Sequence, residues 1–286
     1  MSAASLASPR PGLHRAPVQR AVLTFALGLL GLLGACWSVW AQGLPDLGGQ
    51  RVVVAVEDDY PPFNYIRPDT GRPAGWDYDL FAELARRLHF RAEFRESAWD
   101  GMVEGVATGQ FDAAGNGITV TAERARVVDF CSSYAQVHQR IMVRKTERRF
   151  ETLAGFSKTP GARLGAQKGN TNYTRAEALV GKERVVAYDG FGELVQALVT
   201  GDVDAVVIDD VGGQGYVGAR AGELRLLDGR LDGQDLALIF PKGSPLRPAV
   251  ERGLSTMRAD GTLERLNARW FSPGFRIEEK APPRVP

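Results

Sequence analysis

Residues 99–114, WDGMVEGVATGQFDAA, and residues 191–206, FGELVQALVTGDVDAV, lie against each other at a constant offset of 92 positions. In each, a helical pattern ends in Thr-Gly, and after one further residue an apolar side chain and Asp-Ala open a strand. Gly109 and Gly201 supply the left-handed position that stops a helix without a Cβ penalty, and the Asp starts the return strand. Two lobes of related architecture follow from the repeat. A helix–glycine–strand unit is common, so the match alone leaves coincidence open.

Outward from these units, short Val- and Ile-rich runs alternate with amphipathic segments, the pattern of an α/β fold. Residues 51–56 read as a strand, 79–88 as a helix with Leu80, Phe81, Leu84, Ala85 and Leu88 on one face, and 91–95 as a second strand. Strands are expected at 111–114, 163–166 and 204–208, and helices at 99–108, 173–179 and 191–200. Residues 246–270 read as helical with a break at Asp260-Gly261. Apolar runs meet charged or Pro/Gly turns at 142–145 and 236–242, which places one lobe at 51–143 plus 238–271 and the other at 144–237. Residues 272–286, with four prolines among charges, read as a flexible tail.

The first forty residues differ from the rest. They hold no acid, carry Arg10, Arg15 and Arg20, and run apolar from Ala21 to Ala35. This is the pattern of a secretory signal peptide, ending at Ala41. Leu33-Gly34-Ala35-Cys36 also resembles a bacterial lipobox, which would make Cys36 a lipidated first residue. Either ending directs the chain to the periplasm. Removing residues 1–41 changes the net charge from +1 to −2, so no polyanion or nucleic-acid partner is expected. Cys131 is then the lone thiol, and with no His near it in sequence it reads as a small buried apolar residue. Three scattered histidines leave no metal site, and Glu57, Asp58 and Asp59 lack the Gly turn and distal Glu of a calcium loop. No cofactor is expected.

Four segments could carry chemistry. In Gly117-Ile118-Thr119-Val120-Thr121-Ala122-Glu123-Arg124, Thr121 is a suitable N-cap for a helix from Ala122. Backbone amides, the Thr119 hydroxyl and the Arg124 guanidinium could converge there on one anion. A planar guanidinium suits a carboxylate, although a solvated helix face is the commoner place for an arginine. Gln167-Lys168-Gly169-Asn170-Thr171-Asn172 follows a strand and opens a helix, again an anion site or a plain surface turn. It lacks the spacing of a P-loop. Asp209-Asp210 ends the strand at 204–208, where open α/β sheets place ligand contacts, and a carboxylate there suits an ammonium. Glu57-Asp58-Asp59-Tyr60-Pro61-Pro62-Phe63 sets rings beside acids on a stiffened loop, a pocket for a cation.

With these elements in this order the chain resembles the family 3 bacterial extracellular solute-binding proteins, the polar amino-acid receptors of ABC importers. The resemblance rests on Tyr60-Pro61-Pro62-Phe63, Gly75-Trp76-Asp77-Tyr78-Asp79-Leu80, Trp99-Asp100-Gly101, and residues 117–124 with Val128-Asp129-Phe130. It continues through Gly169-Asn170-Thr171, residues 204–209, Asp260-Gly261-Thr262 and Trp270-Phe271. It implies a type II periplasmic binding protein, two α/β lobes joined by two crossover strands with a ligand cleft between them. It further implies that Arg124, Thr119 and the backbone at Gly117, helped by Thr171, take an α-carboxylate and that Asp209 takes the α-ammonium. Tyr60 and Trp99 would sandwich the side chain, while Glu57 meets its distal group; Phe63, Asn116 and Gln167 complete the expected ligand-binding set. An acid and two rings at the distal end favour a basic or amide side chain over a second carboxylate.

The implied protein is a monomer that closes on an amino acid and delivers it to an ABC permease in the inner membrane. It is not an enzyme. Cyclohexadienyl dehydratases share the resemblance, but the Glu that follows their Gly-x-Thr-Asn turn has no counterpart here, where Tyr173 follows Asn172. A module that reports its closed form to a membrane sensor is a further alternative.

Overall fold

The alternation of apolar runs and amphipathic segments resolves, in a computed structural model, into two main sheets flanked by helices. The structure describes residues 43–220 and 222–277. The expected signal peptide, Cys36 and the end of the tail lie outside the described residues.

The chain enters along β1 (Gln50–Val56), folds a small sheet from β2 (Asp59–Tyr60), β3 (Asn64–Ile66) and β4 (Pro73–Ala74), and continues into α1 (Trp76–Leu88). Then come β5 (Phe90–Glu96), α2 (Met102–Ala107), β6 (Ala113–Ala114), β7 (Val128–Phe130) and the long β8 (Ala135–Arg144). The next elements are α3 (Leu153–Lys158), β9 (Leu164–Gln167), α4 (Thr171–Val180), β10 (Val185–Tyr188), α5 (Phe191–Thr200), β11 (Ala205–Asp209), α6 (Asp210–Ala219) and β12 (Leu224–Leu226). β13 (Gly233–Leu236), β14 (Ile239–Pro241), α7 (Leu246–Ala259) and α8 (Thr262–Trp270) complete the order.

One sheet runs β5-β1-β6-β14-β7, with β1 parallel to β5 and β6, and β14 antiparallel to β6 and β7. The other runs β10-β9-β11-β8-β12, and β13 pairs with the start of β8. In the first sheet β1 is buried on both faces, as its unbroken Val-Val-Val-Ala-Val run requires. Val52, Val54 and Val56 join a cluster with Leu80, Leu84 and Leu88 of α1 and Val250 and Leu254 of α7. Val53 and Ala55 meet Met102 and Val106 of α2 on the opposite face. The second sheet buries Ile141, Val143, Leu164, Ala205 and Val207 in a cluster of their own. The chain crosses between the sheets twice, at 131–134 and 237–238, and the two crossings bond to each other through Cys131 N to Leu238 O and Tyr134 N to Leu236 O.

Two expectations need correction, and one helix had no counterpart among them. β8 pairs with β11, β12 and β13, so residues 135–143 belong to the second sheet and the first crossing comes earlier than the turn at 142–145 suggests. The strand holds no turn residue until after Arg144, so sequence punctuation marks its far end and not the point where it leaves the first lobe. No α-helix starts at Ala122: Thr121 accepts from the Arg124 amide at 3.1 Å, but only a 3-10 turn, Arg124–Arg126, follows. α6, with the glycine-rich sequence DVGGQGYVGA, was not expected as a helix. It forms because its glycine face is the only kind that fits: a Cβ at Gly215 would overlap the carbonyl oxygen of Pro61, and one at Gly212 the Tyr60 ring. Contact with a neighbouring surface outweighs a propensity penalty of about 1 kcal/mol per glycine.

Candidate functional site

The C-terminal ends of β1, β6, β9 and β11 aim their following loops into one cleft between the two sheets, the usual place for ligand contacts in open α/β folds. Tyr60, Trp99, Asn116, Gly117, Thr119 and Arg124 line it from the first lobe, and Gln167, Thr171 and Asp209 from the second. The space between them is about 20 Å³, on the order of one water molecule. A wider opening of about 820 Å³ lies on the outer side of Arg124 and Thr171, between the 121–127 segment and α4.

Arg124 stacks over the Trp99 ring at 4.8 Å and donates through Nη1 to the Thr119 carbonyl at 2.9 Å. Burial draws its pKa down to about 10, opposed by the negative charges of Asp209 and Glu123, so it remains a cation at neutral pH. Facing it is the N-terminus of α4, capped by Asn170, whose side-chain oxygen accepts from the Tyr173 amide at 3.0 Å. The Thr119 and Thr171 hydroxyls both donate to Oε1 of Gln234, at 3.1 and 3.2 Å. Guanidinium, hydroxyls and a helix N-terminus thus gather at one end of the cleft, the donor set for a carboxylate. Gly117 turns the chain here at φ 59°, and a Cβ would come within 3.1 Å of the Phe63 and Tyr60 rings.

Asp209, at the C-terminal end of β11, also lines the cavity. The Tyr60 hydroxyl donates to its Oδ2 at 3.1 Å, while its buried Oδ1 has no hydrogen-bond partner. Burial raises this carboxyl to about 6, with the Tyr60 hydrogen bond and Arg124 acting against it. Glu57 sits behind the cavity wall, 7% exposed. Asn116 Nδ2 donates to one of its oxygens at 2.8 Å and Gln167 Nε2 to the other at 2.5 Å. Burial pushes Glu57 up to about 7 despite these two donors. The network continues inward, because Asn64 donates to Asn116 and to Asp77, a wholly buried carboxyl that desolvation also raises to about 7.

Nine of the eleven expected residues therefore line one cavity, and Glu57 touches two of them. Phe63 does not reach it: fully buried, it stacks behind Tyr60 at 5.2 Å and meets the Phe271 ring at a tilt, also at 5.2 Å. The ring nearest Tyr60 is Phe191 of α5, at 4.3 Å and 7°. Phe191, Asn170 and Asn172 also line the cavity without having been singled out for it. The two asparagines had a signal, since they flank Thr171 in the turn; Gln234 had none, because only the return of β13 brings it to Thr119. Cys131 is buried, and its thiol is pushed up to about 12 by desolvation, in line with a packing role. Among the described residues no cluster of His, Cys, Asp or Glu is placed to hold a metal, and no helix is long and apolar enough to cross a membrane.

The family model of bacterial extracellular solute-binding proteins, family 3, matches residues 52–273. The chain belongs to that family. Its two α/β lobes, two crossings and intervening cleft are the type II periplasmic binding protein fold. An L-arginine-binding protein of Pseudomonas aeruginosa is 28% identical over 85% of this chain and 96% of its own. Among solved structures, the arginine-, lysine-, histidine-binding protein of Geobacillus stearothermophilus superposes with a TM-score of 0.71. It is 25% identical and covers 78% of this chain and 95% of its own. An ancestral amino acid-binding protein described as a precursor of cyclohexadienyl dehydratase reaches the same TM-score at 29% identity, covering 78% and 96%.

Proposed function

We propose that this family 3 protein is an exported receptor that closes on a free amino acid with a basic or amide side chain and hands it to an ABC importer. The observation that carries the reading is the pairing, across one cleft, of Arg124 beside the α4 N-terminus with an Asp209 oxygen that has no hydrogen-bond partner. Carboxylate and ammonium of one zwitterion would satisfy both, and neither end alone would. The side chain would then run toward Glu57, Asn116 and Gln167, a carboxyl and two amides. Arginine, lysine, ornithine and histidine are expected first, glutamine next, and aspartate and glutamate last.

A space of about 20 Å³ is smaller than any amino acid, so accommodating one requires the lobes to part. The ligand would replace the Glu57–Gln167 and Tyr60–Asp209 hydrogen bonds, both of which run between lobes. Closure is then a population shift driven by ligand contacts made on both sides. The family's extracellular character and the leader pattern of residues 1–41 support export, and relatives named as amino-acid-binding proteins of ABC transporters support the importer role. The receptor reading is preferred to a dehydratase because Tyr173 follows the turn where those enzymes place their Glu.

The test is isothermal titration of the mature protein with the twenty amino acids, ornithine, citrulline, prephenate and arogenate. Micromolar binding of basic or amide amino acids, about −8 kcal/mol, strongly weakened in Arg124→Ala and Asp209→Ala, supports the reading. Strong glutamate binding without arginine binding refutes the ligand class, and product formation from prephenate or arogenate refutes the receptor role.

A further inference from the structure

The loop after β1 is fixed to the first lobe. Asn64 accepts from the amides of Glu57 and Asp58, and Tyr78 donates to Asp58 Oδ1 at 2.7 Å. Its next residue, Asp59, turns the other way. The backbone N–H of Gly192, in the first turn of α5, donates to Asp59 Oδ2 at 2.6 Å. α5 has Gly190 at its N-cap and no side-chain cap of its own, so a carboxylate from one lobe serves an orphan amide of a ten-residue helix in the other. The positive end of the helix dipole adds to that attraction.

Two neighbouring contacts close the same seam. The Tyr60 and Phe191 rings lie parallel at 4.3 Å, and the Tyr216 hydroxyl of α6 donates to the Asp59 backbone carbonyl. Gly192 provides the room, since a Cβ there would fall 2.5 Å from Asp59 Oδ1. Neither Asp59 nor Gly192 lines the cavity. Their bond joins the lobes through groups that a ligand in the cleft does not touch.

We propose that Asp59, seated on the N-terminus of α5, is a closure residue: it stabilises the closed arrangement of the lobes independently of the ligand and thereby sets affinity without setting selectivity. A contact that favours the closed state equally for every ligand raises the binding-competent fraction by one factor for all of them. The lobe-closing part stands on the fold alone, and the affinity part rests on the receptor reading above.

The experiment places spin labels on Arg91→Cys and Lys182→Cys, exposed positions on opposite lobes; the native Cys131 is buried. Pulsed dipolar spectroscopy then reports the distance distribution in ligand-free protein. Asp59→Ala should lower the closed-to-open ratio by about tenfold, as expected for loss of a charge-assisted hydrogen bond. Gly192→Ala should act in the same direction, and Asp59→Asn, which keeps an acceptor oxygen but loses the charge, should recover about half of the loss. Titrations of Asp59→Ala with several amino acids should show one common factor of weakening, expressed in faster release. A distance distribution in Asp59→Ala that is unchanged from the labelled parent overturns the proposal, as does a parent with no short-distance population. Weakening that differs from ligand to ligand also overturns it. If no amino acid binds at all, the receptor reading fails while the distance distributions still decide the role of Asp59.

Discussion

Acidification should weaken the binding of a cationic amino acid, and Glu57 should account for most of the effect. Burial raises this carboxyl to about 7, and the hydrogen bonds from Asn116 and Gln167 only partly oppose it. A guanidinium or ammonium at the distal end of the cleft requires the ionised form, so apparent affinity follows the ionised fraction. That fraction falls from about 97% near pH 8.5 to about 3% near pH 5.5, a loss of roughly 30-fold or about 2 kcal/mol. Asp209, raised to about 6, adds a factor of about 4 over the same interval because the ligand ammonium also needs a carboxylate. Isothermal titration with arginine across this range should show a combined loss on the order of 100-fold. Titrations near neutrality in buffers of different ionisation enthalpy should reveal proton release on binding. In Glu57→Gln the steep component should vanish and only the smaller Asp209 component remain. Affinity that does not change with pH, or a Glu57→Gln variant with the parent's slope, would refute the placement of the ligand's cation at Glu57.

Replacing Arg124 by Ala should weaken binding by about 2–3 kcal/mol, on the order of 30- to 150-fold, and Arg124→Lys should not restore it because an ammonium lacks the planar fork. Retention of the circular dichroism spectrum would separate this from unfolding. The ligand-free protein should lose stability as pH rises from about 4 to about 7, the interval between ordinary carboxyl values and the raised values of Glu57, Asp77 and Asp209. In that window the folded state holds protons that the unfolded chain has released. Urea titrations of Asp77→Asn should show a flatter dependence, and an unchanged slope would count against the burial of that charge. Gly215→Ala should lower the melting temperature even though alanine favours a helix by about 1 kcal/mol, because overpacking against Pro61 costs about 1–3 kcal/mol. The Cys131 thiol should resist maleimide in the folded protein and react once denatured; rapid labelling of the native state would contradict its burial.

Much of the cleft was legible because its chemistry is written in short segments that follow strands. Arg124, Thr171 and Asp209 each occupy a position where a free helix end or strand end leaves one functional group pointing away from the sheet, and the paired Thr-Gly units announced the two lobes. Phe63 was misread because a ring beside Tyr60 in sequence gives no sign of which of the two faces the cleft. Gln234 was missed because its partners, Thr119 and Thr171, are more than sixty positions away, and a lone Gln on a short strand carries no pattern.

The amino-acid order by itself determined the α/β alternation, the stops at Gly109 and Gly201, and the set of charged and hydroxyl groups available to a ligand. These depend on local periodicity and backbone conformation, which a few neighbouring residues decide. Only the tertiary structure decided where the chain leaves the first lobe, why a helix with four glycines is stable, and which carboxyls become weak acids. Each of those depends on what approaches from elsewhere in the chain: β11 against β8, Pro61 against Gly215, and the enclosure that removes water from Glu57, Asp77 and Asp209. Desolvation and close contact are properties of assembled surfaces, and no window of sequence contains them.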